Sequence, residues 1–287
     1  MVSLNKQQAR FYDEIHKAEA DTGHGGYAEN QSANIFTRVW AGLRYRQQAA
    51  VQAAGIKARI MEAHERWTNL KAGGDFLEVG CFSCSPFTFR LAEKAGNYLG
   101  VDLSSKAVVA LNEKIYARGL AHKARAEAVD FLELDSSRQF DLIYAYGVLH
   151  HFENPIPLFD KLAALAKPNA LLIFCEPSAV NFVYRTLRAA YRPFQSDAAW
   201  EWPFTRSTIR ALEQHFEFVE GFGWGSRSLP LSVFTGLPVV GGLIRPLYLG
   251  TLKAEVEKGW HDRVWSNSSV TALYTLRDLS VKKQPSL

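Results

Sequence analysis

The chain has 287 residues, 47% of them hydrophobic and 22% charged, which suits one large α/β domain with additions, or two small domains, around a sizeable core. The formal net charge is only +4, and Lys and Arg are mixed with Asp and Glu along most of the chain, which argues against a nucleic-acid partner. The polar start at Met1 to Gln8 lacks the apolar run of a signal peptide, and three cysteines are too few for a disulfide framework, so a cytoplasmic setting is expected.

In chain order, Lys6 to Ala18 and Ile35 to Ala63 read as mostly helical, joined by a flexible loop at Thr22 to Gly26. Residues 1–70 are expected to form an N-terminal helical cap on a main domain of residues 71–287. From there short apolar runs alternate with amphipathic stretches, the pattern of a parallel sheet with crossover helices. The first strand is Phe76 to Val79, followed by a turn of small residues and a helix capped by Ser85 with Pro86 at its first position. The second, Tyr98 to Val101, ends at Asp102, and Ser104 or Ser105 caps the next helix, which buries Val108, Leu111 and Ile115. A third strand, Ala124 to Val129, ends at Asp130; a fourth, Leu142 to Val148, runs into His150-His151. A helix through Leu158, Leu162 and Leu165 leads to a turn at Pro168-Asn169 and a fifth strand at Leu171 to Cys175.

Two more helices (Phe182 to Ala190, Thr208 to His215) and two strands (Phe216 to Phe222, Val270 to Leu276) complete the expectation: an α/β fold on a doubly wound, seven-stranded, mostly parallel sheet. An apolar insertion at about residues 225–266 separates the last two strands. Its stretch from Leu229 to Leu252 is interrupted by Pro230, Pro238, Arg245 and Pro246, so it lacks the ~20 continuous apolar residues of a membrane span. A cap over a greasy pocket, a subunit contact in a homodimer and an interfacial patch remain open for it. Val281 to Leu287 reads as a loose tail.

The informative stretches are Phe76-Leu-Glu-Val-Gly-Cys-Phe-Ser-Cys-Ser85 and Gly100-Val-Asp-Leu-Ser104. A strand ending in a tight turn brings backbone N–H groups close to a ligand, and an acid at the end of the next strand can accept from ribose hydroxyls. That pairing alone suits NAD, FAD or S-adenosylmethionine (SAM). With Ala128-Val129-Asp130-Phe131 and Phe140-Asp-Leu-Ile-Tyr-Ala-Tyr-Gly-Val-Leu-His-His151, in this order and spacing, the chain resembles the class I SAM-dependent methyltransferases over roughly residues 76–176.

The resemblance implies SAM as cofactor. Gly80 would admit its methionyl part and Glu78 would orient its ammonium group. Asp102 would take the ribose, and Leu103 would pack on the adenine. Asp130 and Phe131 would hold the other side of the adenine, Ala145-Tyr146 would lie near the sulfonium, and Tyr12 would belong to a closing N-terminal segment. The family usually has two more glycines where this chain has Phe82 and Cys84. Glycine there removes bulk and permits positive φ, so the Phe82 ring must turn away from the cofactor or fill part of its site.

Transfer to oxygen or nitrogen requires removal of a proton, and His150 and His151 follow the fourth strand at the edge where ligands bind; either is a candidate general base, the other reading being that they shape the loop. Glu176 is a second candidate for acceptor contact, or a helix cap. Tyr27, like Tyr12, lies in the N-terminal addition. Cys81-x-x-Cys84 has only Cys175 as a further thiol, so no metal is expected; His24 reads as a loop residue, and Arg38, Arg44 and Arg46 as a solvated helix face or, in the other reading, a group that steers an acidic acceptor. Phe194, Trp200, Trp202, Phe204, Phe222, Trp224 and Trp260, beside the insertion, favour a hydrophobic acceptor pocket. The expected function is SAM-dependent methyl transfer to a small, partly apolar molecule. The alternative, raised by the altered turn, is a binding role or a non-methylating reaction on the same fold.

Overall fold

Apolar residues on both faces of four of the first five strands dictate a buried, mostly parallel sheet, with the third strand, which carries Arg125 and Glu127 on one face, left for its edge. The computed structural model describes residues 4–22, 49–194, 198–235, 239–258 and 261–278. Its strands are β1 (Asp75–Val79), β2 (Asn97–Asp102), β3 (Ala124–Ala128), β4 (Phe140–Tyr146), β5 (Ala166–Pro177), β6 (Phe216–Trp224) and β7 (Ser269–Leu276). They form one seven-stranded sheet in the order β3-β2-β1-β4-β5-β7-β6. β7 runs antiparallel to both β5 and β6, and the remaining pairs are parallel. The strand order reverses between β1 and β4, the switch point at which such sheets open a crevice beyond their carboxyl ends.

The helices are α1 (Leu4–Thr22), α2 (Ile56–Asn69), α3 (Thr88–Lys94), α4 (Ser105–Ala117), α5 (Pro155–Ala164), α6 (Phe182–Tyr191), α7 (Arg206–His215), α8 (Ser228–Phe234) and α9 (Val240–Lys258); residues 49–53 are also helical. Alternation along the strands divides the core. Phe76, Tyr98, Leu142 and Tyr144 face α2, α3, α4 and α9, whereas Leu77, Leu99, Ile143 and Leu172 face α5 and α7. Side chains start the helices as their sequence suggests. Ser104 accepts from the Ala107 N–H, Asn154 precedes Pro155 at the first turn of α5, and Thr205 closes a capping box with Thr208.

Two expectations shift. The helix after the first strand starts at Thr88 rather than Pro86, because Ser85 Oγ accepts from Phe87 N–H and holds the chain in a turn first. Pro168-Asn169 lies inside β5: Asn169 has φ +61°, and the register against β4 slips between Phe140 and Leu142. The loop at Thr22 to Gly26 beyond Thr22, His24, Tyr27, Arg38, Arg44, Arg46, Trp260 and the tail at Val281 to Leu287 lie outside the described residues.

The segment between β6 and β7 folds as α8 and α9, and α9 continues through Pro246. Buried Glu255 ties this excursion to its root. Its carboxylate accepts from the N–H groups of Gly225 (2.9 Å), Ser226 (3.2 Å), Arg227 and Ser228 (2.9 Å), and from the Ser226 and Ser228 hydroxyls. Among the described residues no helix is long and apolar enough to cross a membrane.

On the opposite face, α2 inserts the fully buried His64 between Tyr144 Oη (3.0 Å from Nδ1) and Thr271 Oγ1 (2.6 Å from Nε2). Thr271 spends its own proton on the Phe174 carbonyl, so His64 Nε2–H donates to Thr271 and Nδ1 accepts from Tyr144. Burial holds this imidazole neutral, its pKa pushed down to about 3 from 6.5. Below pH 6.5 the unfolded chain takes up a proton that the folded chain refuses. His64 therefore makes stability fall with pH from about 6.5 to about 3, by about 1.4 kcal/mol per pH unit. Chemical denaturation of the wild type and His64→Gln between pH 4 and 7 is expected to show a shallower decline in the variant by that amount; parallel curves would contradict the assignment.

Candidate functional site

Beyond the carboxyl ends of β1, β2 and β4 lies a cavity of about 460 Å³. The turn after β1 is its floor. Gly80 has φ +71°, and a Cβ there would stand 2.5 Å from Val148 Cγ2, so glycine is required both for the conformation and for the close approach of the next loop. Phe82 (φ +47°) and Cys84 (φ +154°) keep the positive φ that glycines adopt easily, although both carry side chains. The Phe82 ring packs edge-on against Tyr12 and His16 of α1, at 6.2 and 5.7 Å between centroids, while still lining the cavity.

Asp102, at the end of β2, faces the cavity. Its Oδ2 accepts from Phe82 N–H (2.9 Å) and its Oδ1 from Ser104 N–H (2.8 Å), so it links the turn after β1 to the start of α4. Burial raises its pKa, opposed by these N–H groups. Leu103, Asp130 and Phe131 also line the cavity. Asp130 Oδ1 caps the short turn at Phe131–Glu133 through Leu132 N–H, and its Oδ2 accepts from Asn5 on α1.

α1 roofs the site with Asn5, Gln8, Tyr12 and Ile15. Asp13 Oδ1 accepts from Ser104 Oγ (2.5 Å), and Phe11 packs edge-on against Trp200 (5.0 Å). At the far wall, His151 Nδ1 lies 2.7 Å from the Trp200 carbonyl, which can only accept; Nδ1 therefore carries the proton, and Nε2 accepts from the Tyr12 hydroxyl at 3.0 Å. Burial, then the charge of neighbouring His150, holds the His151 pKa well below the ordinary imidazole value, so the ring is neutral.

The other expected residues stand back from the cavity, and the reason is packing. Glu78 is buried in β1, accepting from Tyr98 Oη (2.5 Å) and Thr88 Oγ1 (3.0 Å). Burial raises its pKa to about 7 against hydrogen bonds from Ser85, Tyr98 and Thr88. Of this group Ser85 lines the cavity. Ala145 points into the core, and Tyr146 and Gly147 reach the cavity instead. Glu176 is not an acceptor contact: its Oε1 takes Val148 N–H (2.9 Å) and Leu149 N–H (2.8 Å), and its Oε2 lies 2.6 Å from His150 Nδ1. His150 is likewise spent behind the wall, its Nε2 3.9 Å from Glu201 Oε1, with Arg188 paired to Glu201 in turn.

The aromatic concentration is core rather than pocket wall. Phe204 stacks on Trp265 and packs tilted against Phe174, Phe222 and Trp224 pack beside α2, and neither these nor Trp200 and Trp202 line the cavity; the Phe194 side chain lies outside what the structure describes. Burial raises the Cys84 thiol pKa, and no cluster of metal-ligating side chains occurs among the described residues. Sequence reasoning missed the Glu176 tie, the Asn5 contact and the His151 acceptor geometry, since their partners lie 27, 125 and 49 residues away.

Residues 77–172 match the family model described as a methyltransferase domain. A ubiquinone biosynthesis O-methyltransferase of Nitrosospira multiformis is 27% identical over 122 residues, covering 42% of this chain and 51% of that protein. The chain spans about half the length of the curated relatives it matches, 42% to 56%. Among solved structures, magnesium protoporphyrin IX methyltransferase from Synechocystis PCC 6803, with bound SAH, is similar at a TM-score of 0.53 and 13% identity, over 94% of this chain and 98% of that one. The 4+2 cyclase SpnF is similar at a TM-score of 0.53 and 17% identity, over 95% and 97%. At these identities the structural likeness establishes the fold.

The turn after β1 yields a direct test. With the ring removed in both variants, Phe82→Gly should be more stable than Phe82→Ala by about 1 kcal/mol in urea unfolding, because φ is positive there. The usual preference for alanine at this position would contradict the described backbone.

Proposed function

We propose that this chain, which belongs to the class I SAM-dependent methyltransferases, binds SAM in the cavity beyond β1, β2 and β4 and methylates oxygen or nitrogen on a small, partly apolar molecule. One arrangement carries the reading: two carboxylates, Asp102 and Asp130, line the same mostly apolar cavity as the hydrogen-bonded Tyr12–His151 pair. The cavity volume of about 460 Å³ is in the range of small-molecule sites.

The residues fit the cofactor. Gly80 leaves the backbone bare where it approaches the ligand, and the Asp102 carboxylate, which takes the N–H groups of Ser104, Phe82 and Leu103, has a fourth lone pair to offer a ribose hydroxyl. Asp130 would accept from the adenine amino group, displacing Asn5, and Leu103 and Phe131 would sandwich the ring. Ser85, held by Glu78 and Thr88, would meet the amino-acid end, which gives Glu78 an indirect role. When bound, SAM supplies an electrophilic methyl group on a sulfonium.

The chain's own residues then act on the acceptor. With α1 as its roof, the cavity would shield a bound cofactor and acceptor from bulk water. The Tyr12 hydroxyl, aligned by His151 Nε2, is the polar group that meets the acceptor's nucleophile, and His151 is the candidate to take its proton. Glu176 and His150 are positioning residues: by fixing Val148 and Leu149 they set where His151 stands. The apolar walls at Val79, Val101, Val148 and Phe152 favour an acceptor with an apolar body. A partly apolar acceptor agrees with the chemistry that the names of the curated O-methyltransferase relatives describe.

Calorimetry tests the cofactor. SAM and S-adenosylhomocysteine are both expected to bind, and Asp102→Ala to weaken both at least tenfold; failure of both nucleosides to bind the wild type would overturn the reading. With a panel of phenols, alcohols and amines, Tyr12→Phe and His151→Ala are expected to lose about 10²-fold or more in turnover while retaining cofactor affinity. Binding without transfer to any acceptor would favour the non-methylating alternative.

A further inference from the structure

Behind the far wall of the cavity, the Glu176–His150 contact continues into a second ion pair. His150 Nε2 stands 3.9 Å from Glu201 Oε1, and Glu201 Oε2 pairs with Arg188 of α6. Only 9% of the Glu201 side chain and 12% of the Arg188 side chain are exposed. A buried ion pair adds little net stability, because desolvation cancels most of the attraction. Its worth lies in what it holds in place.

What it holds is the segment that lies against both histidines. Arg188 takes the Glu201 carboxylate and has Tyr184, one turn earlier, as a further hydrogen-bond partner. Arg192, just past the end of α6, donates to the carbonyls of Glu201 (3.3 Å) and Ala198 (2.8 Å). The residues on either side of Glu201 then meet the histidines through the backbone. The Trp200 carbonyl accepts from His151 Nδ1–H (2.7 Å), and Trp202 N–H donates to the His150 carbonyl (2.7 Å). Trp200 also meets the roof, its ring edge-on against Phe11 of α1.

A neutral imidazole carries its proton on whichever nitrogen its fixed partner demands. The Tyr12 hydroxyl, beside Nε2, makes no such demand, because it can donate or accept. The choice falls to the Trp200 carbonyl, which only accepts and so keeps the proton on Nδ1. Were that carbonyl to drift, a proton on Nε2 would serve equally well, and the lone pair would leave the Tyr12 side of the ring.

We propose that Arg188 and Glu201 are positioning residues for His151: by anchoring the Trp200 carbonyl to α6 they fix the Nδ1–H tautomer and turn the Nε2 lone pair to Tyr12 and the cavity. The catalytic consequence rests on the reading of His151 as the proton acceptor; the tautomer does not.

Heteronuclear NMR of the full chain with labelled histidines tests this without cofactor or acceptor, the His151 signals being identified by their loss in His151→Gln. The wild type is expected to be protonated at Nδ1 and bare at Nε2. Glu201→Gln and Arg188→Gln should each raise the Nε2–H form at least tenfold, with Arg188→Lys between them and the wild type. Glu201→Gln keeps the shape of its side chain and Arg188→Lys the charge, which secures folded variants. The double variant should shift the tautomer no further than a single one, since the two residues act as a unit. With an acceptor that is turned over, the single variants should lose at least tenfold in kcat while acceptor KM and SAM affinity hold within about twofold, neither side chain lining the cavity. A merely structural role would lower the melting temperature and leave the tautomer of the folded protein untouched. That result, or a wild type protonated at Nε2, would overturn the proposal. A shifted tautomer in a protein whose wild type transfers no methyl group would instead count against the methyl-transfer reading and leave the positioning role standing.

Discussion

The Asp102 carboxylate is the interaction on which the site depends. It stands at the end of β2 and holds two loops at once, the turn after β1 through Phe82 N–H and the entry to α4 through Ser104 N–H. Ser104 in turn caps α4 and donates to Asp13, so the roof helix α1 is attached to the same point. Burial disfavours the charge, and the converging N–H dipoles are what make a carboxylate tolerable there. Neutralising or removing it would release floor and roof together, which is why the cavity's shape and its polar end cannot be varied independently.

The opposite wall is built on the same principle with a different anion. Glu176 gathers Val148 N–H, Leu149 N–H and His150 Nδ1–H, and so fixes the irregular loop after β4. His151, next along the chain, is thereby turned outward to the cavity with its proton committed to the Trp200 carbonyl. Two carboxylates, at the carboxyl ends of β2 and β5, thus give a parallel sheet, which offers no side chains of its own beyond the strand ends, a pair of firm loops. This division also explains why adjacent histidines have different parts: one is hydrogen-bonded into the scaffold, and the other meets the space.

Much of this was legible in the sequence, and the reasons differ by element. Four of the five parallel strands announce themselves by apolar residues on both faces and the edge strand β3 by alternation, and Ser104, Asn154 and Thr205 mark helix starts because capping is a local interaction. Gly80, Asp102, Leu103, Asp130 and Phe131 were legible as cavity residues because each sits at or just past a strand end, and the strands were clear. Glu78, Glu176, His150 and Ala145 were assigned to the cavity on the same positional rule and lie behind it. Whether a side chain at a strand end faces ligand or neighbouring loop depends on partners far along the chain. The aromatic concentration misled for a related reason: Phe204, Phe222 and Trp265 satisfy one another in the core, and composition does not distinguish packing from a pocket. Phe82 and Cys84 are the converse case. Both carry side chains where the resemblance led one to expect glycine, yet both have a positive φ, which the residue type did not announce.

Glu255 has a consequence for how such a chain can vary. By reaching back 30 residues to Gly225 it fastens the far end of the α8–α9 segment to its point of departure, making a loop whose neck is closed independently of its tip. Ring closure at the neck removes most of the entropic penalty that length would otherwise impose on the strand pairing of β6 with β7. The outer turns are therefore at liberty to exchange residues, lengthen or shorten while the sheet beneath stays in register, and the protein can acquire a new exterior without renegotiating its interior.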